Sequence, residues 1–255
     1  MNDGTILSVE RLSKTFGELR ALWDVSFRVK EKELVALIGP NGAGKTTFYN
    51  VVTGKYKPSQ GKVIFTDRDI TGLPSHKITR LGLCRSFQVT NVFSENTVVE
   101  NILAPLVAYH GKGLSFFREL RSYKELHREA LQILELLGIS HRASEVVTKL
   151  SYGDKRLVEI GIAMATHPKM VMLDEPTAGM TPEETERMAG IIKRLSQETE
   201  VTFFLTEHDM KVVFSIAERI LVLHQGSLLA QGTPEEIRDD PQVKEAYLGG
   251  SLDNA

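Results

Sequence analysis

Cysteine is almost missing from this sequence: Cys84 stands alone, which excludes an internal disulfide framework and fits a reducing compartment. Long apolar runs are missing too, and none approaches the roughly 18 to 20 residues a helix needs to cross a bilayer. The opening MNDGTILSVERLSKTF lacks a basic segment followed by an apolar signal stretch. The expectation is a cytoplasmic chain, peripheral to a membrane at most, whose membrane role runs through a partner. Neither charge sign is in excess. The 31 basic and 33 acidic residues leave a net charge of -2, whereas nucleic-acid binding usually leaves a surplus of Lys and Arg. No nucleic-acid partner is expected. Repeats, low-complexity tracts and linkers are also lacking. What remains is 255 residues, 42% hydrophobic and 25% charged, an ordinary soluble composition able to bury a real core as one domain.

Residues 5–12 and 22–29 show short, partly alternating apolar patterns that predict an antiparallel start. Residues 34–38 (LVALI) are continuously apolar, suited to a strand buried on both faces, and run through a glycine-rich loop into a helix from about 46 to 53. Another strand is predicted at 62–66. From about 94 to 150 the period turns helical, at 97–109 and strongly at 119–137, with Gly111 and Gly113 between them. Strands return at 170–173, 201–205 and 219–223, alternating with helices at about 154–166, 182–197 and 209–217. Pro182 after Thr181 fits an N-cap with proline at the first helical position. Short helical turns are expected at 234–248. The fold class predicted is α/β: a mainly parallel sheet with helices, an antiparallel β part, and an inserted helical sub-domain. The division is 1–93 and 154–255 for the core and 94–153 for the insert.

Gly39-Pro40-Asn41-Gly42-Ala43-Gly44-Lys45-Thr46 satisfies G-x-x-x-x-G-K-[ST] and sits between an apolar strand and a helix. Glycines let backbone N–H groups wrap phosphates without a side chain in the way. Lys45 can reach the β and γ phosphates, Thr46 can offer its hydroxyl to Mg²⁺, and the helix directs its positive end at the anion. The bland alternative is a glycine-rich turn with a chance lysine. Farther on, the apolar segment 170–173 ends in Asp174 and Glu175. Alone, such a pair is a common solvated strand end. Beside a phosphate loop, Asp174 can hold Mg²⁺ and Glu175 can activate the water attacking the γ-phosphate.

Two further segments stay open on the residues alone. Ser151 and Gly153 precede a helix expected from about Asp154, and are either an ordinary cap or a second anion-binding helix N-terminus. His208 follows the strand at 201–205 and is either structural or part of the site. The remaining histidines (His76, His110, His127, His141, His167 and His224) form no spacing that argues for zinc. Cys84 reads as a small apolar filler.

With these segments in order, the chain resembles the nucleotide-binding subunits of ABC transporters over nearly its whole length. The resemblance implies a P-loop ATPase using ATP and Mg²⁺. Phe16 in KTFG corresponds to the aromatic that stacks on adenine, and GPNGAGKTT, including Thr47, to the phosphate loop. Gln88 in RSFQ corresponds to the glutamine between core and helical sub-domain, which touches Mg²⁺ or the attacking water and senses the permease. Leu150-Ser151-Tyr152-Gly153-Asp154 corresponds to the signature motif, which closes over the γ-phosphate of the opposite subunit. Asp174-Glu175-Pro176-Thr177-Ala178-Gly179-Met180 corresponds to the acidic strand end plus the loop crossing the dimer interface. His208 corresponds to the switch histidine.

The signature reads LSYGD rather than LSGGQ, so Tyr152 and Asp154 replace a glycine and a glutamine. Asp154 would bring a negative charge near the nucleotide. Phe16 stands where tyrosine is more usual and still supplies a π-face. The long stretch between Gln88 and Ser151 and the segment GSLLAQGTPEEIRDDPQVKEAYLGG resemble the ATPases of bacterial branched-chain amino acid importers. That implies membrane permease subunits, a second ATPase subunit (identical or merely similar) and a solute-binding protein as partners. Rival readings are the ATPase of another transporter such as a lipid or lipopolysaccharide exporter, a soluble ATP-driven switch, and a regulatory nucleotide-binding module.

Overall fold

The computed structural model describes residues 4–86, 92–111 and 124–247. The two alternating N-terminal segments form a long antiparallel pair, β1 (Thr5–Phe16) and β2 (Leu19–Lys30). Both run beyond the predicted 5–12 and 22–29, because register shifts along the pair break the alternation that marks them in sequence. With β4 (Gln60–Phe65) and β5 (Arg68–Asp69) they make a four-stranded sheet ordered β2-β1-β4-β5.

Among the described residues a second sheet has six strands in the order β10-β9-β3-β8-β7-β6. These are β3 (Leu34–Ile38), β6 (Leu83–Arg85), β7 (Met170–Asp174), β8 (Thr202–Thr206), β9 (Arg219–His224) and β10 (Ser227–Gly232). All neighbours pair parallel except β9 with β10. The continuously apolar strands are buried on both faces, as parallel sheets require. Along β3, Leu34, Ala36 and Ile38 join one core cluster and Val35 and Leu37 the other. The first cluster is closed by α3 (Val98–Tyr109), α4 (Lys124–Leu136), α5 (Tyr152–Met164), α6 (Pro182–Glu198) and α7 (Met210–Ile216). The second fills the space between this sheet, the N-terminal sheet and α1 (Lys45–Val52), where Phe27, Phe48, Tyr49 and Phe204 pack ring on ring.

Local chemistry starts the helices where expected. Thr181 caps α6 in a full capping box with Glu184, with Pro182 at the first position. Thr97 does the same for α3. α5 begins at Tyr152 rather than Asp154, because the Ser151 side chain accepts from the Asp154 N–H and makes Ser151 the cap. The tail holds α8 (Pro234–Asp239) and α9 (Pro241–Ala246), each opened by a capped proline. Four elements escape the sequence patterns: β5, β6, β10 and α2 (Ser75–Arg80). β5 and β6 are too short for a period to register, and β10 is a half-buried edge strand. Residues 119–123 of the expected helix 119–137, and Gly113, lie outside the described residues.

Candidate functional site

Strand register builds the site. Leu37 of β3 pairs with Thr206 of β8, and Thr206 pairs with Asp174 of β7. The segments that follow these strands therefore leave from one carboxyl edge: the Gly39 loop, Glu207-His208 and Glu175. Ligand crevices of parallel α/β sheets lie at that edge. Successive strands are about 4.8 Å apart, so side chains from all three strand ends can converge on one ligand.

The glycine-rich loop joins β3 to α1. Gly44 sits at φ 104°, and a Cβ there would stand 2.6 Å from the Ala21 carbonyl, so no larger residue fits. α1 has no side-chain cap, unlike α3, α5, α6, α7, α8 and α9. Among the described residues its N-terminal N–H groups thus have no side-chain cap, which leaves them open to an anion. Lys45 is buried and its Nζ turns back to donate to the Gly39 and Pro40 carbonyls. Burial lowers the pKa of its ammonium below the ordinary 10.5, with Glu175 and Asp174 opposing. Asn41, Gly42 and Thr46 are exposed at the mouth, Pro40 and Thr47 partly so, while Ala43 is buried. Phe16, 42% exposed, stands edge-on to Tyr56 at 5.4 Å with the Lys14 ammonium 4.8 Å from its ring.

Asp174 is 3% exposed and both its oxygens are engaged. One accepts from Thr206 Oγ1 at 2.8 Å, the other from Arg85 at 2.6 Å. Arg85 spends its second arm on Asn50 Oδ1 at 2.7 Å, the forked geometry that suits arginine and not lysine. Under this pair the Tyr49 hydroxyl donates to the Leu173 and Phe204 carbonyls, and burial pushes its pKa well up, so it stays neutral.

Glu175 takes left-handed backbone, φ 49°, and its N–H donates to Thr206. Non-glycine residues pay for that conformation and keep it where the surroundings impose it, often at functional sites. His208 Nε2 lies 2.8 Å from Glu175 Oε1. Between them Glu207 is buried: one oxygen accepts from the Thr177 N–H at 2.9 Å and hydroxyl at 2.7 Å, the other from the His208 N–H at 3.2 Å. It therefore ties the loop carrying Ala178, Gly179 and Met180 to the histidine segment, and burial raises its pKa.

Ser151 to Asp154 form the first turn of α5. Among the described residues their hydrogen bonds and ion pairs run to one another, to Arg142 and to α6, not to the phosphate loop. The Gly153 N–H approaches Glu184 Oε1 at 3.4 Å. Tyr152 is exposed beside Arg156, with its ring edge 3.8 Å from where a Cβ of Gly179 would stand. Asp154, read from the sequence as a negative charge near the nucleotide, carries that charge in ion pairs. Asp154 is 2% exposed and held by Arg142 at 3.0 Å and Arg187 at 2.9 Å, so its charge is compensated inside the protein.

The structure thus gathers Lys45, Asp174, Glu175 and His208 on one edge and sets Ser151–Asp154 on a separate helix end. Gln88 lies outside the described residues. Arg85, Thr206, Glu207 and Tyr49 are not singled out by the sequence, although Thr206 and Glu207 directly precede His208 and Arg85 lies three residues before Gln88. Cys84 is buried, its sulfur 3.1 Å from Thr166 Oγ1, as a filler should be. The residues fit the groups the resemblance implies. The uncapped helix and the Gly44 cradle suit a nucleotide's phosphates. The oxygen donors that Thr46 and Asp174 carry are of the kind a hard cation such as Mg²⁺ takes.

Comparisons with known proteins agree. Residues 22–178 match the ABC transporter family, and residues 227–253 match the branched-chain amino acid ATP-binding cassette transporter family. The chain is 44% identical to the high-affinity branched-chain amino acid transport ATP-binding protein LivG of Salmonella typhimurium, covering 96% of this chain and 98% of that protein. The same values hold for BraF of Pseudomonas aeruginosa, which carries the same description. A crystal structure of the ADP conformation of an ATP-binding cassette of an ABC transporter superposes with a TM-score of 0.84 at 33% identity, covering 96% of this chain and 99% of that one. The fold, the phosphate loop and these matches together show that the chain belongs to the ABC transporter family as an ATP-binding, ATP-hydrolysing subunit of the branched-chain amino acid transport type.

Proposed function

We propose that this chain powers uptake of branched-chain or other hydrophobic amino acids through a separate membrane permease fed by a solute-binding protein. It works at the cytoplasmic face and its membrane role falls to the permease, a reading the transport names of its relatives support; among the described residues no helix is long and apolar enough to cross a membrane. The names of the relatives support the cargo. The observation that carries the enzymology is the Glu175–His208 pair, 2.8 Å apart beside Asp174 and the Lys45 loop.

Each residue then has a task. Backbone N–H groups from Gly39 to Thr47 and the Lys45 ammonium bind the phosphates of ATP, and Phe16 stacks on the adenine. Thr46, Asp174 and Gln88 hold Mg²⁺, whose contribution is to neutralise phosphate charge. Glu175 takes the proton of the attacking water, and His208 orients Glu175 and contacts the γ-phosphate.

Ser151, Tyr152, Gly153 and Asp154 serve a second ATPase subunit, presenting the α5 N-terminus to the nucleotide held by the partner's phosphate loop. The absence, among the described residues, of bonds to their own phosphate loop supports this, as does the pairing of Asp154 with Arg142 and Arg187, which compensates its negative charge. Ala178, Gly179 and Met180 cross the interface, where Tyr152 lies beside Gly179. Residues 94–153 form the helical sub-domain, set between the core segments 1–93 and 154–255, and meet the permease around Gln88.

Reconstitution with the permease in liposomes tests the reading. Glu175→Gln should bind ATP with unchanged affinity, lose turnover at least a hundredfold, and stop leucine uptake. Turnover at the wild-type rate would remove Glu175 as the base, and ATP-driven transport of a different solute class would remove the cargo.

A further inference from the structure

Away from the nucleotide edge, three side chains that no sequence pattern connects come together. His110 caps the C-terminus of α3, Glu129 lies on α4, and His167 sits in the loop between α5 and β7. His167 Nε2 is 2.7 Å from one Glu129 oxygen and His110 Nε2 is 3.4 Å from the other, and all three atoms fall within 4.8 Å of one another. We propose that His110, Glu129 and His167 form a second divalent-cation site, of a chemistry that favours Zn²⁺, separate from the nucleotide site.

The donor set is two imidazoles and a carboxylate, which suits Zn²⁺ and its first-row neighbours and not Mg²⁺, which prefers oxygen alone. Bonds of about 2.0–2.2 Å in a tetrahedral array put neighbouring ligand atoms roughly 3.3–3.5 Å apart. The His110 separation of 3.4 Å falls in that range and the His167 separation of 2.7 Å is shorter, each to a different Glu129 oxygen, so side-chain shifts complete the geometry. The rings are already oriented. Tyr109 lies 4.5 Å from the His167 ring at a 32° tilt and stands perpendicular to His110 at 5.3 Å. Such packing lowers the entropy lost when ligands are fixed. The side chains of His110 and His167 are 36% and 44% exposed, so an ion has an entry path and a fourth position open to water or another ligand.

The site is independent of catalysis by position. His167 lies three residues before Met170, the first residue of β7, and Asp174 is the last, so the strand, roughly 13 Å long, stands between them. A bound ion ties the α3–α4 pair to the loop feeding β7, linking the helical region to the strand that carries the acids. A plain His–Glu–His ion-pair network is the competing account, and it predicts no metal affinity.

The test titrates the purified, nucleotide-free chain with Zn²⁺ alone by calorimetry, and with Co²⁺ alone by visible absorption, which reports coordination directly. The expected result is one equivalent bound at micromolar concentration or tighter. Affinity should fall at least tenfold in His167→Ala and in Glu129→Gln. It should stay unchanged in His127→Ala, also on α4, and in His208→Ala at the nucleotide edge. ATP binding retained by the variants at His110, His127, Glu129 and His167, and a cooperative unfolding transition in His208→Ala, show that each is folded. No binding below millimolar Zn²⁺, or binding undiminished in the His110→Ala/His167→Ala double variant, would overturn the proposal. So would binding lost in His208→Ala but kept in His167→Ala.

Discussion

Removing the Arg85 side chain strands a buried charge. Arg85 gives one arm to Asp174 and the other to Asn50, and the residue itself is largely buried, its side chain 13% exposed. Breaking a buried ion pair by deleting one partner costs about 3–5 kcal/mol, mostly because the survivor is left uncompensated. Here Asp174 keeps its bond from Thr206 and water can follow the arginine's path, which lowers the expected cost of Arg85→Ala to about 2–3 kcal/mol. For a chain of this size that is a fall in melting temperature of about 4–12 °C. Asp174→Asn removes the stranded charge, so the double variant should be less destabilised than the sum, with a coupling of about 2 kcal/mol. Arg85→Lys should fall between, because a single ammonium cannot serve Asn50 and Asp174 together. The assay is a double-mutant cycle by denaturant unfolding of the nucleotide-free protein, with the Mg²⁺ dependence of ATP turnover measured in parallel. The half-maximal Mg²⁺ concentration should rise in Arg85→Ala, since an untethered Asp174 is less well placed. A coupling under about 0.5 kcal/mol would refute the claim that Arg85 positions this carboxylate.

Gly44→Ala should cost ATP affinity at least tenfold and lower stability by about 1–3 kcal/mol, read by nucleotide titration and denaturant unfolding, because the added Cβ meets the Ala21 carbonyl and the φ of 104° disfavours it. Glu207 supplies a pH signature. Its carboxyl is raised above the ordinary 4.5, so the folded state holds its proton more tightly than the unfolded one. Stability therefore declines as pH rises from about 4.5 through the raised value and then levels. Glu207→Gln, neutral at every pH, should lack that decline, so the two stability curves should run closest in form below about pH 4.5, where wild-type Glu207 is also neutral, and the gap between them should change as pH rises. Parallel curves would refute the assignment.

How far the sequence reached depended on how local each feature is. The phosphate loop was legible because its chemistry is contiguous: a strand, glycines, a lysine and a helix start in one short run. Thr181-Pro182 was legible for the same reason, as a cap depends on neighbours three residues away. The pairing of Asp154 was not legible because its partners, Arg142 and Arg187, lie on other elements. β6 was missed because three residues carry no period, yet it supplies Arg85. The histidines, scattered along the sequence without metal spacing, meet at Glu129 only because α3, α4 and the loop before β7 pack side by side.

By itself, then, the sequence determined the sheet type, the nucleotide site and the family, since apolar period, glycine placement and motif order are properties of neighbouring residues. Only the tertiary structure decided which side chains share a hydrogen bond across the sheet edge. Leu37, Thr206 and Asp174 fall in one register row, and from that row come the Arg85–Asp174 pair, the Glu207 tether and the Glu175–His208 contact. Register is set by packing on both faces of the sheet at once, a condition spread over the whole core.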